Sequence, residues 1–206
     1  MFISTRPSDA RIQEFLAAAR LSTFSYVDVG LTQRSAAPSG FNCDHNRILL
    51  GSGAAAYQRA MGAVRDWQMF AMPNCQLCWP TAPIEAGVTV AIEFHHFGFW
   101  SLNAARIVYT LDEQGDVHRF GFAYGTLPDH AECGEERFLV EWHRRDDSVY
   151  YDLFAFSRPR HPLARLAKPL ARRLQKHFVR ESQQAMLRVV GTELRAVGTK
   201  LAESSP

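Results

Sequence analysis

The 206-residue chain is 47% hydrophobic and 21% charged, the balance of an ordinary globular protein long enough to bury a substantial core. No run approaches the ~18 apolar residues of a membrane helix, and Met1 to Ser8 holds no secretion-type apolar stretch. The four cysteines, Cys43, Cys75, Cys78 and Cys133, are too scattered for a disulfide scaffold, so a reducing, cytoplasmic setting is expected.

The formal net charge of +2 hides an asymmetry: residues 158–200 hold eleven Lys and Arg against two acidic residues, which leaves the remainder net negative. Such a basic segment attracts anionic surfaces or simply faces the acidic body.

Ser8 can cap a first helix whose Ile12, Phe15, Leu16 and Ala19 form one apolar stripe. Phe24–Gly30 reads as a strand, followed by a polar loop around Pro38 and Gly40 and an extended piece at Arg47–Leu50. A second helix starts near Ser52 and carries Tyr57, Ala60, Met61 and Val64 at helical spacing to about Trp67. From Val88 the period changes to two. Strands are predicted at Val88–His96, Ala104–Leu111, Val117–Thr126, Glu136–His143 and Val149–Ser157. The turns Gln114-Gly115-Asp116 and Arg145-Asp146-Asp147 separate the second of them from the third and the fourth from the fifth. Short turns between successive strands imply an antiparallel meander.

The last element is a long helix from about Pro162 to Leu194. Leu163, Leu166, Ala167, Leu170, Leu174, Phe178 and Ala185 share one side. Arg165, Lys168, Arg172, Lys176 and Arg180 share the other and are expected to be exposed. Glu181 and Arg188 interrupt the apolar side: either the helix leaves the core there, which is the favoured reading because a buried unpaired charge is costly, or these groups reach into one end of the cavity. The apolar side needs a partner, and the sheet is the large surface left. The expected fold is therefore α+β: a curved antiparallel sheet of six to seven strands gripping the C-terminal helix, with two shorter N-terminal helices. By analogy this is the helix-grip plan of the Bet v 1 and START-like superfamily. A single domain over residues 1–206 is expected, with its core at about 8–194 and a short tail.

The densest polar cluster lies in Phe120–Phe138. Phe120, Phe122 and Tyr124 share one strand face, and Gly121, Ala123 and Gly125 share the other. Beyond a Pro-Asp turn come His130, Glu132, Glu135, Glu136 and Arg137, with Glu136 facing opposite to Glu135 and Arg137. With Phe24-Ser-Tyr26, Leu50-Gly51, Trp67, Arg106–Tyr109, Gly121–Pro128, Gly134–Phe138, Phe156–Pro159, Gln175 and Ala185-Met186, this stretch resembles the family called domain of unknown function nineteen-ninety. Asp129 and Cys133 depart from its pattern. The resemblance implies a fold and no chemistry.

Read from the residues, Tyr124, Thr126, His130, Glu136, Ser157 and Arg158 converge on a cavity mouth, with Phe122 and His96 on the interior face. Carboxylate, imidazole and phenol together can do acid–base work when burial shifts their pKa values. The commoner arrangement for such residues is an ion-pair network joining Glu135, Glu136, Arg106, Arg137 and Arg158 across strands. Cys75 and Cys78 have no second ligand pair and no thioredoxin-like context, so they read as reduced cysteines in an irregular segment. His95 and His96 point to opposite faces and cannot share a metal. Gly51-Ser-Gly53 lacks the Lys-Ser/Thr of a phosphate loop and marks a plain helix start.

The leading expectation is a protein that holds an apolar or amphipathic small molecule between sheet and C-terminal helix. No cofactor or metal is implied and nucleic acid is not favoured. Two alternatives stand beside it. One is an enzyme of cyclase, hydrolase or isomerase type using Tyr124, His130 and Glu136. The other is a scaffold that touches anionic membranes weakly through the basic helix.

Overall fold

Tight turns force neighbouring strands to pair antiparallel, and the computed structural model, which describes residues 2–96, 98–160 and 168–202, shows that meander. In chain order come β1 (Phe2–Ile3), α1 (Asp9–Arg20), β2 (Asn42–Ser52), α2 (Gly53–Arg65), β3 (Cys75–Leu77) and β4 (Thr89–His96). Then follow β5 (Phe99–Glu113), β6 (Val117–Thr126), β7 (Glu132–His143), β8 (Ser148–Pro159) and α3 (Lys168–Ala202). The sheet runs β2-β8-β7-β6-β5-β4-β3, with β1 added beside β5. Register shifts at Leu49/Gly51 and Ile107/Tyr109 add local twist and help the sheet curl.

Both faces of this sheet are covered. On the concave face, Val90, Ile92, Ile107, Phe122, Phe138 and Tyr151 pack beneath α2 and α3. Trp67 ends the α2 region with φ 53, and its indole N–H donates to the Ala82 carbonyl at 2.8 Å, so an aromatic side chain rather than a glycine closes that turn. On the convex face, Ile12, Phe15, Leu16 and Ala19 of α1 cover Ala91, Leu102 and Ala104. Ser8 caps α1 as its sequence indicates, accepting from the Arg11 N–H at 3.4 Å. The far end is capped by Arg106, whose guanidinium donates to the carbonyls of Ala19 and Arg20 at 3.0 and 3.1 Å.

Three expectations are corrected. Phe24–Gly30 forms no strand. It makes one backbone-to-backbone bond to the sheet, Ser25 N–H to Thr126 O at 3.0 Å, and Gly30 turns with φ 91 into a short 3-10 helix, Leu31–Arg34. Side chains, not a ladder, hold this segment. Cys75 lies in a strand rather than in irregular chain, opposite Phe94. On α3, Leu170 of the expected apolar stripe is 42% exposed, whereas Phe178 packs on the core and Ala185 is buried as expected, beside Ser182, Met186 and Val190. The helix is fixed there by Tyr151 Oη to Ser182 Oγ at 2.9 Å and by Arg59 Nε to Val190 O at 3.1 Å. Arg165, Leu163, Leu166 and Ala167 lie outside the described residues.

Gly121 shows why part of the sheet is built from small residues. A Cβ there would run into the Phe138 carbonyl and Leu139 Cα of β7. At Gly125 it would strike the Tyr26 hydroxyl and the Phe24 ring, so the 24–35 segment lies directly on β6.

Candidate functional site

Alternation along β7 sends adjacent carboxylates to opposite sides of one sheet. Glu135 faces outward and is buried at 2% exposure. It accepts from Tyr26 Oη at 2.6 Å, Gly30 N at 2.7 Å, Thr32 N at 3.0 Å and the Thr32 hydroxyl. Arg137, on the same face, donates to Thr32 O at 2.8 Å, Ser35 Oγ at 3.2 Å and Asp152 Oδ1 at 2.9 Å. His45 meets the other Asp152 oxygen at 2.6 Å. Together these groups clasp the 24–35 segment onto the convex face.

The expected ion-pair network therefore has different partners. Arg106 caps α1, and Arg158 lies over the Phe41 ring at 4.5 Å. Glu136 pairs with neither.

Glu136 faces inward, to a cavity of about 450 Å³ enclosed by the concave sheet and α3. Met72, Phe94, Leu153, Leu174, Phe178 and Val179 make its apolar walls. Tyr124, Glu136, Thr126, His130, Ser157 and His96 all border this space, so six of the eight residues singled out in the sequence meet there. Two do not. Phe122 is on the right face but fully buried in the core, with Trp67 at 4.8 Å and Phe138 at 5.3 Å between ring centroids. Arg158 follows Ser157 by one residue, so the pleat turns it outward.

Sequence reading missed Glu132, Asn103, Asp44 and Gln175, which also border the cavity. Strand parity was the available signal for Glu132, two residues before Gly134 and four before Glu136. Of the two readings of Glu181, the less favoured one holds: it borders the cavity and does not mark where α3 departs. Arg172 is corrected too. It is half-buried and grips Asp44 through two nitrogens at 2.5 and 2.7 Å, whereas Lys176 and Arg180 are exposed as expected.

Burial sets the electrostatics. Glu136 accepts the Tyr124 hydroxyl at 2.9 Å, yet desolvation lifts its carboxyl to about 7, with Asp44 adding to the rise. Desolvation also lifts Glu132 to about 7 against the opposing effects of Ser157, Arg172 and Gln175. The Tyr124 phenol is pushed well above its usual value by burial and then by Glu136. Burial lowers His130 to about 4, and its Nδ1 accepts the Glu132 backbone N–H at 3.0 Å, which leaves a neutral ring protonated at Nε2. His96 is lowered by desolvation and then by His177. The thiols are the reverse of activated: burial pushes Cys75 well above normal and Cys78 to about 12. Among the described residues, no three His, Cys, Asp or Glu side chains gather as metal ligands. None of the described helices is long and apolar enough to cross a membrane.

A half-barrel sheet closed over a long helix, with a cavity between them, defines a helix-grip protein. Residues 25–185 match the family described as Domain of unknown function (DUF1990), and the chain belongs to that family. It is similar to a UPF0548 protein of Dictyostelium discoideum, 37% identical over 93% of this chain and 97% of that one. A UPF0548 protein of Deinococcus radiodurans is 34% identical over 93% of this chain and 100% of its own length. Among solved structures, a hypothetical protein of Helicobacter pylori overlaps with TM-score 0.48 at 13% identity, covering 82% of this chain and 97% of that chain.

Proposed function

We propose that the protein binds an amphipathic small molecule in the cavity between the sheet and α3. The observation that carries this reading is the cavity itself. Its volume of about 450 Å³ lies in the ~300–1,000 Å³ range of ligand sites. Its walls are mainly apolar, and its polar groups are concentrated on β6, β7 and the facing ends of β5 and β8. Such a layout buries a hydrophobic body and fixes its orientation with a few hydrogen bonds. A scaffold acting only through its surface would have no need of that space.

Native mass spectrometry of the purified protein tests the reading. The expected spectrum shows a co-purifying small molecule that leaves on gentle activation. Tyr124→Phe and Glu136→Gln should change its retention while leaving the fold intact. Retention unchanged in both variants would refute the site.

One observation favours an enzymatic second reading. Tyr124 and Glu136 share a proton-bearing bond in a water-poor site, and Glu136 titrates near neutrality. A carboxyl so placed can exchange a proton with a bound substrate. Chemical change of the co-purified molecule by the wild type, absent in Glu136→Gln, would establish that reading over simple binding.

A further inference from the structure

The charge lining the cavity is one-sided. Among the described residues its walls carry Asp44, Glu132, Glu135, Glu136 and Glu181, and no lysine or arginine. Glu135 contributes no charge inside, because its carboxylate is the outward clasp. Asp44 is neutralised by Arg172. Glu132, Glu136 and Glu181 remain as interior carboxyls, and of these Glu132 feels Arg172, which opposes the rise of its pKa. The Oε2 atom of Glu132 is shut off from solvent and has no hydrogen-bond partner. Glu136 accepts one bond, from Tyr124, although a carboxylate offers about four acceptor positions. Both groups are short of donors inside an enclosed apolar space.

We infer that the occupant brings the missing donors: an amphipathic organic amine, its protonated nitrogen at Glu136 and its apolar body against Leu153, Phe94 and Phe178. The inference rests on the cavity being a ligand site. A carboxylate or phosphate head would meet two carboxyl groups and no unpaired cation among the described wall residues, and a buried charge left unpaired is costly. A metal ion would want a third ligand, which the described side chains do not bring together.

The surroundings agree from every side. Glu136 faces Tyr124 on β6, Asp44 on β2, Cys75 on β3 and Tyr151 on β8. Glu132 faces Ser157 on β8, Arg172 and Gln175 on α3, and its own neighbour His130. Of these only Asp44 and Arg172 are charged at neutral pH, and they pair with each other. Arrival of a cation ionises Glu136, the carboxyl that burial holds near 7. Binding therefore releases protons and tightens as pH rises.

Calorimetric titration with decylamine, decanol and decanoate separates the possibilities, since the three share one tail. We expect the amine to bind at least about tenfold tighter near pH 8 than near pH 5, with decanol unchanged and proton release visible in buffers of different ionisation enthalpy. Glu136→Gln should flatten the amine's pH dependence, while decanol binding reports that the variant is folded. An amine no tighter than decanol at the higher pH, or decanoate tightest of the three, overturns the inference and leaves the cavity reading standing. Amine affinity and pH dependence unchanged in Glu136→Gln overturn it as well. Failure of all three compounds to bind the wild type removes the cavity reading along with it.

Discussion

Glu135 and Glu136 are neighbours in sequence and opposites in circumstance. Glu135, on the convex face, is met by two hydroxyls and two backbone N–H groups; Glu136, on the concave face, has Tyr124. A buried carboxylate whose acceptor positions are filled by that many donors is a structural clasp. A buried carboxyl with one donor is held near neutrality, and its unmet capacity is available to something else. Burial alone thus does not separate structure from site; the count of satisfied acceptor positions does.

Breaking the clasp should have the largest effect. Glu135→Ala strands the Gly30 and Thr32 N–H groups and the Tyr26 hydroxyl, and should cost about 3–5 kcal/mol in chemical denaturation, since each buried orphan donor is expensive. A loss below about 1 kcal/mol would mean that water replaces the carboxylate freely. Gly125→Val attacks the same contact sterically, driving a methyl group into Tyr26 and Phe24. It should cost about 2–3 kcal/mol and expose the 24–35 segment to proteolysis.

Glu136→Gln should act in the opposite direction and only at higher pH. Its folded pKa of about 7 lies above the ordinary 4.5, so the folded state holds the proton more tightly than the unfolded state. The resulting stability is present below about 4.5 and is lost as pH rises through about 7. The glutamine variant should therefore match the wild type at acidic pH and exceed it by about 1–2 kcal/mol near pH 8. Denaturation midpoints at the two pH values check this, and a variant less stable at both would show that Glu136 is stabilising as the anion.

Removing one phenol from each side gives the smallest and most direct contrast. Tyr26→Phe should cost about 1–2 kcal/mol near neutral pH, because it removes a short buried hydrogen bond to a carboxylate. Tyr124→Phe should cost less than about 1 kcal/mol near pH 5, where Glu136 is protonated and its bond to the phenol is neutral. Equal losses would erase the distinction between the two faces.

Strand parity made much of this legible in the sequence. The period of two placed Phe122 and Tyr124 inward, split Glu136 from Glu135 and Arg137, and put His96 with Ile92 and Phe94. Parity also explains the misplacement of Arg158, which stands one position off Ser157. The 24–30 segment defeated the reading because its apolar alternation looks like a strand, while Tyr26 and Gly30 are held by a carboxylate more than a hundred residues away. The α3 stripe held only in part, for a different reason. Helical periodicity assumes that the inward side meets apolar atoms, whereas Glu181 meets a cavity and Ser182 meets a phenol.

The pairing of β2 with β8 has a kinetic consequence. Residues 42–52 must wait for residues 148–159 before their ladder can close, whereas β4 to β8 are joined by short local turns. Distant pairing of this kind carries a loop-closure cost that slows its formation. Asp44 and Asn46 come from this late edge strand, and Leu174 to Glu181 come from a helix that follows the whole meander. The cavity is thus expected to be the last part of the molecule to assemble. In refolding experiments the far-ultraviolet signal of the sheet should recover before the capacity to take up decanol, and no small molecule can template the early steps because its walls do not yet exist.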